Sequence, residues 1–421
     1  MKVGGTIRVP GDKSISHRAL MLAALGAGNS VVRGILDSQD VRSTASVLRA
    51  LGVDIPALAP EILVRGVGTT GLRVPRHDLD CGNSGTTARL IAGIVAARPF
   101  TSRLTGDESL SGRPMLRIAR PLEAMGARIQ CERGDGLPMV VHGGALHALE
   151  WRMNVASAQV KSAILLAGLV GGVPVTVVEP FPSRDHTERM LRARGVDVQT
   201  HEGRVSLVPV TTLPSADVPV PADPSSAAFL AALAALADTG EVVLEDVCVN
   251  PTRSGFLQVL RRMGASVEIV REVIQGGEPV ASLRVRASAG ALHGIHIAGD
   301  EVPSMIDEVS LAACLAARAE GTTRITGAAE LRVKESDRIV TVVANLRRLG
   351  VSAEELPDGM VVHGTRAPLR GAVVTHGDHR IAMAFGVLGA TDGAQVEIDD
   401  TACVDVSFPG FWELLARTVT T

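Results

Sequence analysis

Polar and charged side chains collect where the sequence predicts that helices begin. In the segment PGDKSISHRALMLAAL, Lys13 and Ser14 directly precede an Ala/Leu-rich helical stretch. The free N–H groups and the dipole at a helix start favour an anion at that position. Lys13 is one of only four lysines among 42 basic residues. This scarcity favours a functional role over the alternative, an ordinary capped helix.

Three other segments have the same kind of polar helix start. GNSGTTARL, over residues 82–90, is a turn of small residues that opens a helix and lets a ligand approach the backbone. SAQVKSAILLAGL begins a helix with Ser157, Gln159 and Lys161, and a lysine in the first turn opposes the helix dipole unless an anion lies there. FPSRDHTERML contains Ser183 at a further start, for which a solvated surface is the alternative.

Carboxylates suited to proton transfer occur in the second half of the chain. Asp307 lies at the mouth of an apolar helix, and Glu335 is embedded among basic residues in LRVKESDRI. If these helix starts converge, they would form a site for a small polyanion with acids and bases beside it. His376 and His379 have the spacing of metal ligands, but no second pair has a recognisable spacing, so we expect no metal.

Composition excludes several classes of protein. The 421 residues are 46% hydrophobic and carry a formal net charge of -3, so large cores are expected and a basic surface for nucleic acid is not. The longest apolar run, residues 227–237, is too short to span a membrane. No export signal is visible at the start, and the five cysteines form no CxxC motif. We therefore expect a cytoplasmic protein.

The elements that carry these residues recur along the chain. A helical tail ending in Leu-x-x-x-Gly and a short strand appears five times, and an Ala/Leu-rich helix followed by a β-branched strand appears six times, with a period of roughly 70 residues. The pattern predicts six βαβαββ units. Pro/Gly/Asp-rich joints near residues 9–12 and 220–224 favour two three-unit domains over a solenoid, namely residues 13–222, and residues 1–12 plus 223–421.

The motif set closely resembles the 5-enolpyruvylshikimate-3-phosphate synthase family of enolpyruvyl transferases, from Gly11 to Pro409. PGDKSISHRALMLAAL, GNSGTTARL, SAQVKSAILLAGL, LRVKESDRI and GDHRIAMAF carry the resemblance. It implies an α/β, two-domain enolpyruvyl transferase fold, an inside-out α/β barrel with three units per domain and an active site in the cleft between the domains. It also implies transfer of the enolpyruvyl group of phosphoenolpyruvate to the 5-hydroxyl of shikimate-3-phosphate, a step of chorismate and aromatic amino-acid biosynthesis.

The resemblance also implies which residues bind the two substrates. Those expected to hold shikimate-3-phosphate are Ser14, Arg18, Ser157, Ala158, Ser183, Asp307 and Lys334. Those expected to hold phosphoenolpyruvate are Lys13, Asn83, Gly85, Arg113, Gln159, Arg338 and Arg380.

In the chemistry implied by the family, the 5-hydroxyl adds to the enol carbon and phosphate leaves from a tetrahedral intermediate. Asp307 would take the hydroxyl proton, Glu335 would protonate the methylene and Lys13 would assist the departure of phosphate. His379 is a supporting candidate. No metal and no organic cofactor is implied, and we expect a monomer with small-molecule substrates and no membrane or nucleic-acid partner.

Two features depart from the family pattern. Some members have a Lys before the terminal Ser/Thr-Phe-Pro, whereas Val406 precedes that motif here. Gly85 leaves room for the inhibitor glyphosate that a larger residue would fill.

The nearest alternative function is transfer of enolpyruvyl to UDP-N-acetylglucosamine. The segment GDESLSGRP disfavours this function because it has no cysteine. A six-repeat binding scaffold without enzymatic activity is the more distant alternative.

Overall fold

Helices and strands alternate along most of the chain. The computed structural model describes residues 1–420, apart from the side chain of Ala289. The α-helices in chain order are α1 (Lys13–Leu25), α2 (Gln39–Ala50), α3 (Gly85–Ala96), α4 (Glu108–Ser111), α5 (Leu116–Ala124), α6 (Ala158–Gly171), α7 (His186–Arg192), α8 (Pro224–Leu236), α9 (Gly255–Arg262), α10 (Val309–Ala316), α11 (Arg338–Arg348), α12 (His379–Gly389) and α13 (Phe411–Thr418).

The strands range from two to ten residues in length. In chain order they are β1 (Lys2–Ile7), β2 (Ala27–Arg33), β3 (Glu61–Val67), β4 (Leu79–Asp80), β5 (Thr101–Thr105), β6 (Arg128–Cys131), β7 (Met139–His142), β8 (Leu149–Arg152), β9 (Val175–Val178), β10 (Asp197–His201), β11 (Arg204–Val208), β12 (Val218–Pro219), β13 (Thr239–Cys248), β14 (Ser266–Gln275), β15 (Glu278–Arg286), β16 (His296–Ile297), β17 (Thr322–Ile325), β18 (Ala353–Leu356), β19 (Gly359–His363), β20 (Arg370–Val373), β21 (Gln395–Ile398) and β22 (Val419–Thr420).

Contacts divide the chain into two units. The first unit comprises Gly11–Val220 with Gln275–Glu278, and the second comprises Met1–Pro10, Pro221–Ile274 and Pro279–Thr421. The short segment Gln275–Glu278 contacts the rest of the first unit, and the carboxylate of Glu278 lies 2.8 Å from Nδ1 of His186, with both side chains buried.

The first unit contains three sheets. In one, β2 pairs antiparallel with β3 and parallel with β12. The other two have the strand orders β4-β5-β7-β6 and β8-β9-β11-β10. In both of these, the first two strands are parallel and the other neighbours are antiparallel.

The described residues of the second unit form three further sheets. Their orders are β14-β15-β13-β1-β22, β16-β17-β19-β18 and β20-β21. Each of these sheets contains a parallel pair: β1 with β13, β16 with β17 and β20 with β21.

The predicted repeat is visible in the element order. The order strand, helix, strand, helix, strand, strand occurs in β4-α3-β5-α5-β6-β7, in β8-α6-β9-α7-β10-β11 and in β16-α10-β17-α11-β18-β19, with one additional short helix, α4, in the first. A parallel pair joined by a helix requires such a crossover, and the closing antiparallel pair needs only a tight turn. The predicted α/β class built from repeated units is confirmed.

Central helices are apolar on nearly all sides. Every residue of α8 is buried, and Asp223 caps the helix by accepting from the N–H groups of Ser225 and Ser226 at 2.6 and 3.0 Å. A helix that is apolar all round belongs inside a core rather than at a surface. In the described part of the chain, no helix has the length and apolar character needed to cross a membrane.

Helices α3 and α6 approach each other closely at Gly93. A Cβ atom at this glycine would lie 2.3 Å from the carbonyl oxygen of Ala163 on α6, which is inside the van der Waals distance. Because it has no Cβ atom, Gly93 allows this short separation of α3 and α6. Both helices carry candidate site residues at their starts.

We predict that Gly93→Ala destabilises the first unit. Overpacking of this kind costs about 1–3 kcal/mol, which lowers the midpoint of thermal unfolding by roughly 3–10 °C for a unit of this size. Gly144→Ala is the matched control, because a Cβ atom there has open space within 4 Å. Equal melting temperatures for Gly93→Ala and the parent, measured by scanning calorimetry, would contradict this account of the helix packing.

Candidate functional site

Three helix starts in the first unit are capped by side chains of the polar motifs. Asp12 accepts from the N–H of Ile15 at 2.7 Å and begins α1, so that Lys13 is its first residue. Ser84 accepts from the N–H of Thr87 at 3.1 Å and begins α3 at Gly85. Ser157 accepts from a backbone N–H at 3.4 Å and begins α6 at Ala158. The predicted helix starts are confirmed.

Asn83 and Arg113 form one side of the polar cluster at the start of α3. One guanidinium nitrogen of Arg113 donates to the side-chain oxygen of Asn83 at 2.7 Å and to the hydroxyl of Ser109 at 3.1 Å. The Asn83 amide in turn donates to Asp107 at 2.6 Å. The structure therefore brings together two residues that lie 30 positions apart in sequence.

Gln159 and Gly85 both lie next to Arg89, a residue that sequence reasoning missed. Arg89 is buried on α3, and its NH1 donates to Oε1 of Gln159 at 2.8 Å, while NH2 donates to the carbonyl of Pro114 at 3.1 Å. A Cβ atom at Gly85 would lie 2.7 Å from the same NH1. Its position four residues after Gly85 on one helix is the signal that could have identified it.

Arg18 ties the start of α1 to α6 and α7. Its guanidinium donates to the hydroxyls of Thr187 and Ser162 at 2.7 and 2.8 Å and to the carbonyl of Ser14 at 2.9 Å. Burial lowers the pKa of the Arg18 guanidinium to about 10. A desolvated guanidinium of this kind gains stability when an anion binds beside it.

Lys161 connects α6 with the segment that carries Ser183. The buried ammonium lies 2.8 Å from Glu179 and 2.7 Å from Glu188, and it donates to the carbonyl of Ser183 at 3.2 Å. The hydroxyl of Ser183 also donates to Glu179. Desolvation lowers the pKa of Lys161, but the two glutamates outweigh it and raise the value above that of an ordinary lysine.

Lys13 lies apart from this buried group. Its ammonium forms an ion pair with Asp40 at 3.0 Å, and about a fifth of the lysine side chain is exposed. A half-buried ammonium can reach a bound ligand more easily than one enclosed by carboxylates. Asp40 lies at the start of α2 and was not among the predicted residues.

Arg338 is the centre of the charged cluster in the second unit. Its Nε donates to Asp378 at 2.8 Å, and one of its terminal nitrogens donates to Glu335 at 2.7 Å. Burial lowers the pKa of Arg338, but Asp378, Glu335 and Asp307 together raise it well above the usual value. Asp378 also caps α12, accepting from the N–H of Arg380 at 2.9 Å, so this pair joins the starts of α11 and α12.

Asp307 lies between two arginines. One carboxylate oxygen is 3.8 Å from Arg253 and the other is 3.6 Å from Arg338. The charge of Asp307 also acts on Lys334. Desolvation lowers the pKa of the Lys334 ammonium, and the negative charges of Asp307 and Glu330 oppose this shift. The two candidate carboxylates, Asp307 and Glu335, thus share Arg338 as a neighbour.

Arg380 and His379 begin α12 and are buried. The guanidinium of Arg380 lies 3.8 Å from Glu308 and 6.0 Å from the centre of the Phe229 ring, a cation–π geometry. Burial raises the pKa of Glu308, with Arg253 opposing the shift. Among residues 1–420, no group of three or more His, Cys, Asp or Glu side chains is arranged to hold a metal ion.

The terminal motif has a packing role. Val406 ends a short 3₁₀ helix, Ala402–Val406, and the following Ser407 and Phe408 are buried. The Phe408 ring packs edge-on against Phe411 at 5.4 Å between centroids.

Comparison with known proteins identifies a matching family. The family model described as EPSP synthase (3-phosphoshikimate 1-carboxyvinyltransferase) matches residues 1–415. The 3-phosphoshikimate 1-carboxyvinyltransferase of Xanthomonas euvesicatoria pv. vesicatoria is 50% identical over 97% of this chain and 92% of its own length. The protein of the same name from Desulforamulus reducens is 46% identical over 99% of this chain and 97% of its own length.

Solved structures give the same result. An EPSP synthase from Acinetobacter baumannii matches with a TM-score of 0.87 and 43% identity, covering 100% of this chain and 96% of that chain. A second structure of EPSP synthase from this organism has a TM-score of 0.86 and 42% identity, covering 98% of that chain.

A buried chain of hydrogen bonds links the starts of α1 and α3. The hydroxyl of Thr87 donates to Ser84 at 2.7 Å, so the Thr44 hydroxyl donates to Thr87 at 2.6 Å. The Thr44 oxygen then accepts from Nδ1–H of His17 at 2.6 Å. Nε2 of His17 is buried and has no hydrogen-bond partner among the described residues.

We predict that His17 makes the first unit less stable in mild acid. Desolvation, followed by Lys13 and Arg18, lowers the pKa of His17 well below its usual value. As pH falls through about 6.5, the unfolded chain therefore binds a proton that the folded chain does not, and stability falls by up to about 1.4 kcal/mol per pH unit. Above about pH 6.5 this contribution is constant.

His17→Asn is the test variant, because its amide can still donate to Thr44 but does not titrate. Melting temperatures measured from about pH 8 to about pH 5 should fall less steeply for His17→Asn than for the parent. Parallel curves would contradict the assignment.

Proposed function

Because the chain belongs to the EPSP synthase (3-phosphoshikimate 1-carboxyvinyltransferase) family, we propose that it transfers the enolpyruvyl group of phosphoenolpyruvate to the 5-hydroxyl of shikimate-3-phosphate and releases phosphate. The shared name of relatives about half identical over nearly the whole chain supports this activity. The observation that carries it in the structure is the grouping of buried cations and carboxylates at helix starts, because the cations suit phosphorylated substrates and the carboxylates suit proton transfer.

We propose that shikimate-3-phosphate is bound through residues of both units. The desolvated guanidinium of Arg18 and the start of α6 support a phosphate site, since a helix start and a buried cation both attract this anion. The full proposed set is Ser14, Arg18, Ser157, Ala158, Ser183, Asp307 and Lys334.

Phosphoenolpyruvate carries a carboxylate and a phosphate, and it requires several cations and donors. The Asn83–Arg113 pair and the amide of Gln159 support its binding from the first unit, and Arg338 supports it from the second. The full proposed set is Lys13, Asn83, Gly85, Arg113, Gln159, Arg338 and Arg380.

The proposed chemistry is addition followed by elimination. Asp307 takes the proton of the 5-hydroxyl as its oxygen bonds to the enol carbon, and protonated Glu335 donates a proton to the methylene to give a methyl group. In the second step the bond between the tetrahedral carbon and the phosphate oxygen breaks, and Lys13 donates a proton to the leaving phosphate. Glu335 takes a proton back from the methyl group, which restores the carbon–carbon double bond. His379 supports this acid–base set as a buried neighbour of Asp378.

The surroundings of Asp307 support its role as a substrate-dependent base. The guanidinium groups of Arg253 and Arg338 lie 3.8 and 3.6 Å from its two carboxylate oxygens and attract its negative charge. An anionic substrate that pairs with Arg338 would compete with Asp307 for that guanidinium and leave the carboxylate available to accept the hydroxyl proton.

The organisation around this chemistry is proposed from the sequence. Residues 13–222 form one three-unit domain, residues 1–12 plus 223–421 form the other, and the two supply their residues to the same pair of substrates. The enzyme is proposed to be a cytoplasmic monomer, and its five cysteines, widely separated in sequence and without a CxxC motif, favour a reducing compartment.

Phosphate release tests the proposed activity against its alternatives. We predict that phosphoenolpyruvate yields phosphate with shikimate-3-phosphate and not with UDP-N-acetylglucosamine or without an acceptor. Inorganic phosphate is measured under multiple turnover, and the product is identified by mass spectrometry. Release with UDP-N-acetylglucosamine would support the sibling transferase, and no release with either acceptor would support a binding protein.

We predict that Asp307→Ala and Glu335→Gln each lower turnover by roughly two to four orders of magnitude, the usual contribution of an acid or base. Glu354→Gln is the matched control, because this glutamate of β18 is exposed in the same unit. Single-turnover rates with both substrates saturating measure the effect on chemistry. A near-parental rate for either variant would remove that residue from the mechanism, whereas an equal loss in Glu354→Gln would indicate a general structural effect.

A further inference from the structure

Arg89 is a buried cation to which neither the sequence patterns nor the proposed mechanism assigns a role. Its side chain is 4% exposed on α3. It donates from NH1 to Gln159 and from NH2 to the carbonyl of Pro114, the residue directly after Arg113. It therefore contacts two segments that carry proposed phosphoenolpyruvate ligands.

The contact with Arg89 determines which way the Gln159 amide points. A guanidinium has only donors, so the atom it meets at 2.8 Å must be the amide oxygen. The amide nitrogen then faces the other way and donates to the hydroxyl of Thr86 at 3.1 Å. One of the two N–H bonds of Gln159 remains available, because the described residues give this nitrogen no second acceptor.

An anionic ligand requires this orientation. If the Gln159 amide turned over, its oxygen would replace the N–H donor and would repel a carboxylate or phosphate. Amide groups of Asn and Gln can turn unless both ends have partners that distinguish oxygen from nitrogen. Arg89 provides that distinction, since Thr86 can either donate or accept.

We propose that Arg89 is a positioning residue that holds the Gln159 amide with its N–H donor directed to phosphoenolpyruvate. This inference rests on the proposed function. Arg89 acts through Gln159 and contributes to the affinity for phosphoenolpyruvate, with no direct effect on shikimate-3-phosphate.

The same geometry favours glycine as the first residue of α3. A Cβ atom at Gly85 would lie 2.7 Å from NH1 of Arg89. Even alanine at this position would push the guanidinium away from Gln159, so a substitution at Gly85 disturbs the ligand site through Arg89 as well as by its own volume.

The test is a double-mutant cycle on the KM for phosphoenolpyruvate. Arg89→Met should raise this KM by at least about tenfold, the size expected when a buried charge-assisted hydrogen bond is lost, and should change the KM for shikimate-3-phosphate by less than about twofold. Gln159→Ala should raise the KM for phosphoenolpyruvate by a similar factor. The double variant should match Gln159→Ala, because Arg89 then has no amide to orient.

Arg194→Met is the matched control. Arg194 is also buried in the first unit, 6% exposed, and donates to the carbonyl of Leu22 at 2.8 Å. We expect it to lower the melting temperature as Arg89→Met does and to leave the KM for phosphoenolpyruvate unchanged. If Arg89→Met does not fold, Arg89→Gln takes its place in the same cycle, since an amide can donate or accept and therefore no longer selects the oxygen of Gln159.

A rise in KM that is as large in the Gln159→Ala background as in the parent would overturn the proposal, because Arg89 would then act independently of the amide. An equal rise in both KM values would also overturn it. Turnover by the parent enzyme reports separately on the proposed function, so a parent that releases no phosphate is distinguished from a failed cycle.

A second readout does not depend on turnover. In protein labelled with ¹⁵N-glutamine, the side-chain signals of Gln159 are identified by their loss in Gln159→Ala. Phosphoenolpyruvate should shift them in the parent and in Arg194→Met but not in Arg89→Met. A shift of the same size in Arg89→Met would contradict the orienting role.

Discussion

The ion pair between Arg338 and Asp378 determines the arrangement of the charged cluster in the second unit. Asp378 is fully buried, caps α12 and binds Arg338, the first residue of α11. A buried carboxylate without a partner is costly, so neither residue can move without the other. Because Arg338 also contacts Glu335 and lies beside Asp307, the two proposed proton-transfer groups depend on this one interaction for their positions.

In the first unit, the start of helix α6 connects several of the charged and polar side chains. Within its first turns, Gln159 meets Arg89, Lys161 meets Glu179, and Ser162 accepts from Arg18. Side chains at successive positions of a helix point in different directions, so one helix start can contact α1, α3 and the segment before α7 at once. The close approach of α3 to α6 at Gly93 then fixes the distance across which Arg89 reaches Gln159.

The sequence predicted helix starts well and the partners of their side chains poorly. Asp12, Ser84 and Ser157 were recognisable because a capping residue before an apolar stretch is a local signal that three or four neighbouring positions carry. Arg89, Asp378 and Asp40 gain their importance from contacts with residues 27 to 70 positions away, as in the Arg89–Gln159 and Lys13–Asp40 pairs. Local pattern carries no information about such contacts, and only the resemblance to a family supplied the residue set.

A carboxylate accompanies four of the cations at or near the proposed site, and this pairing limits how an anion can bind to them. Lys13 pairs with Asp40, Lys161 with Glu179, Arg338 with Asp378 and Arg380 with Glu308. The pairing explains how a chain of formal charge -3 can carry local anion sites. An arriving phosphate cannot displace a buried carboxylate without leaving it unpaired, so it must use the donors that point away from the carboxylates. Those directions are set by the protein before any ligand arrives, and binding therefore selects by geometry rather than by net charge.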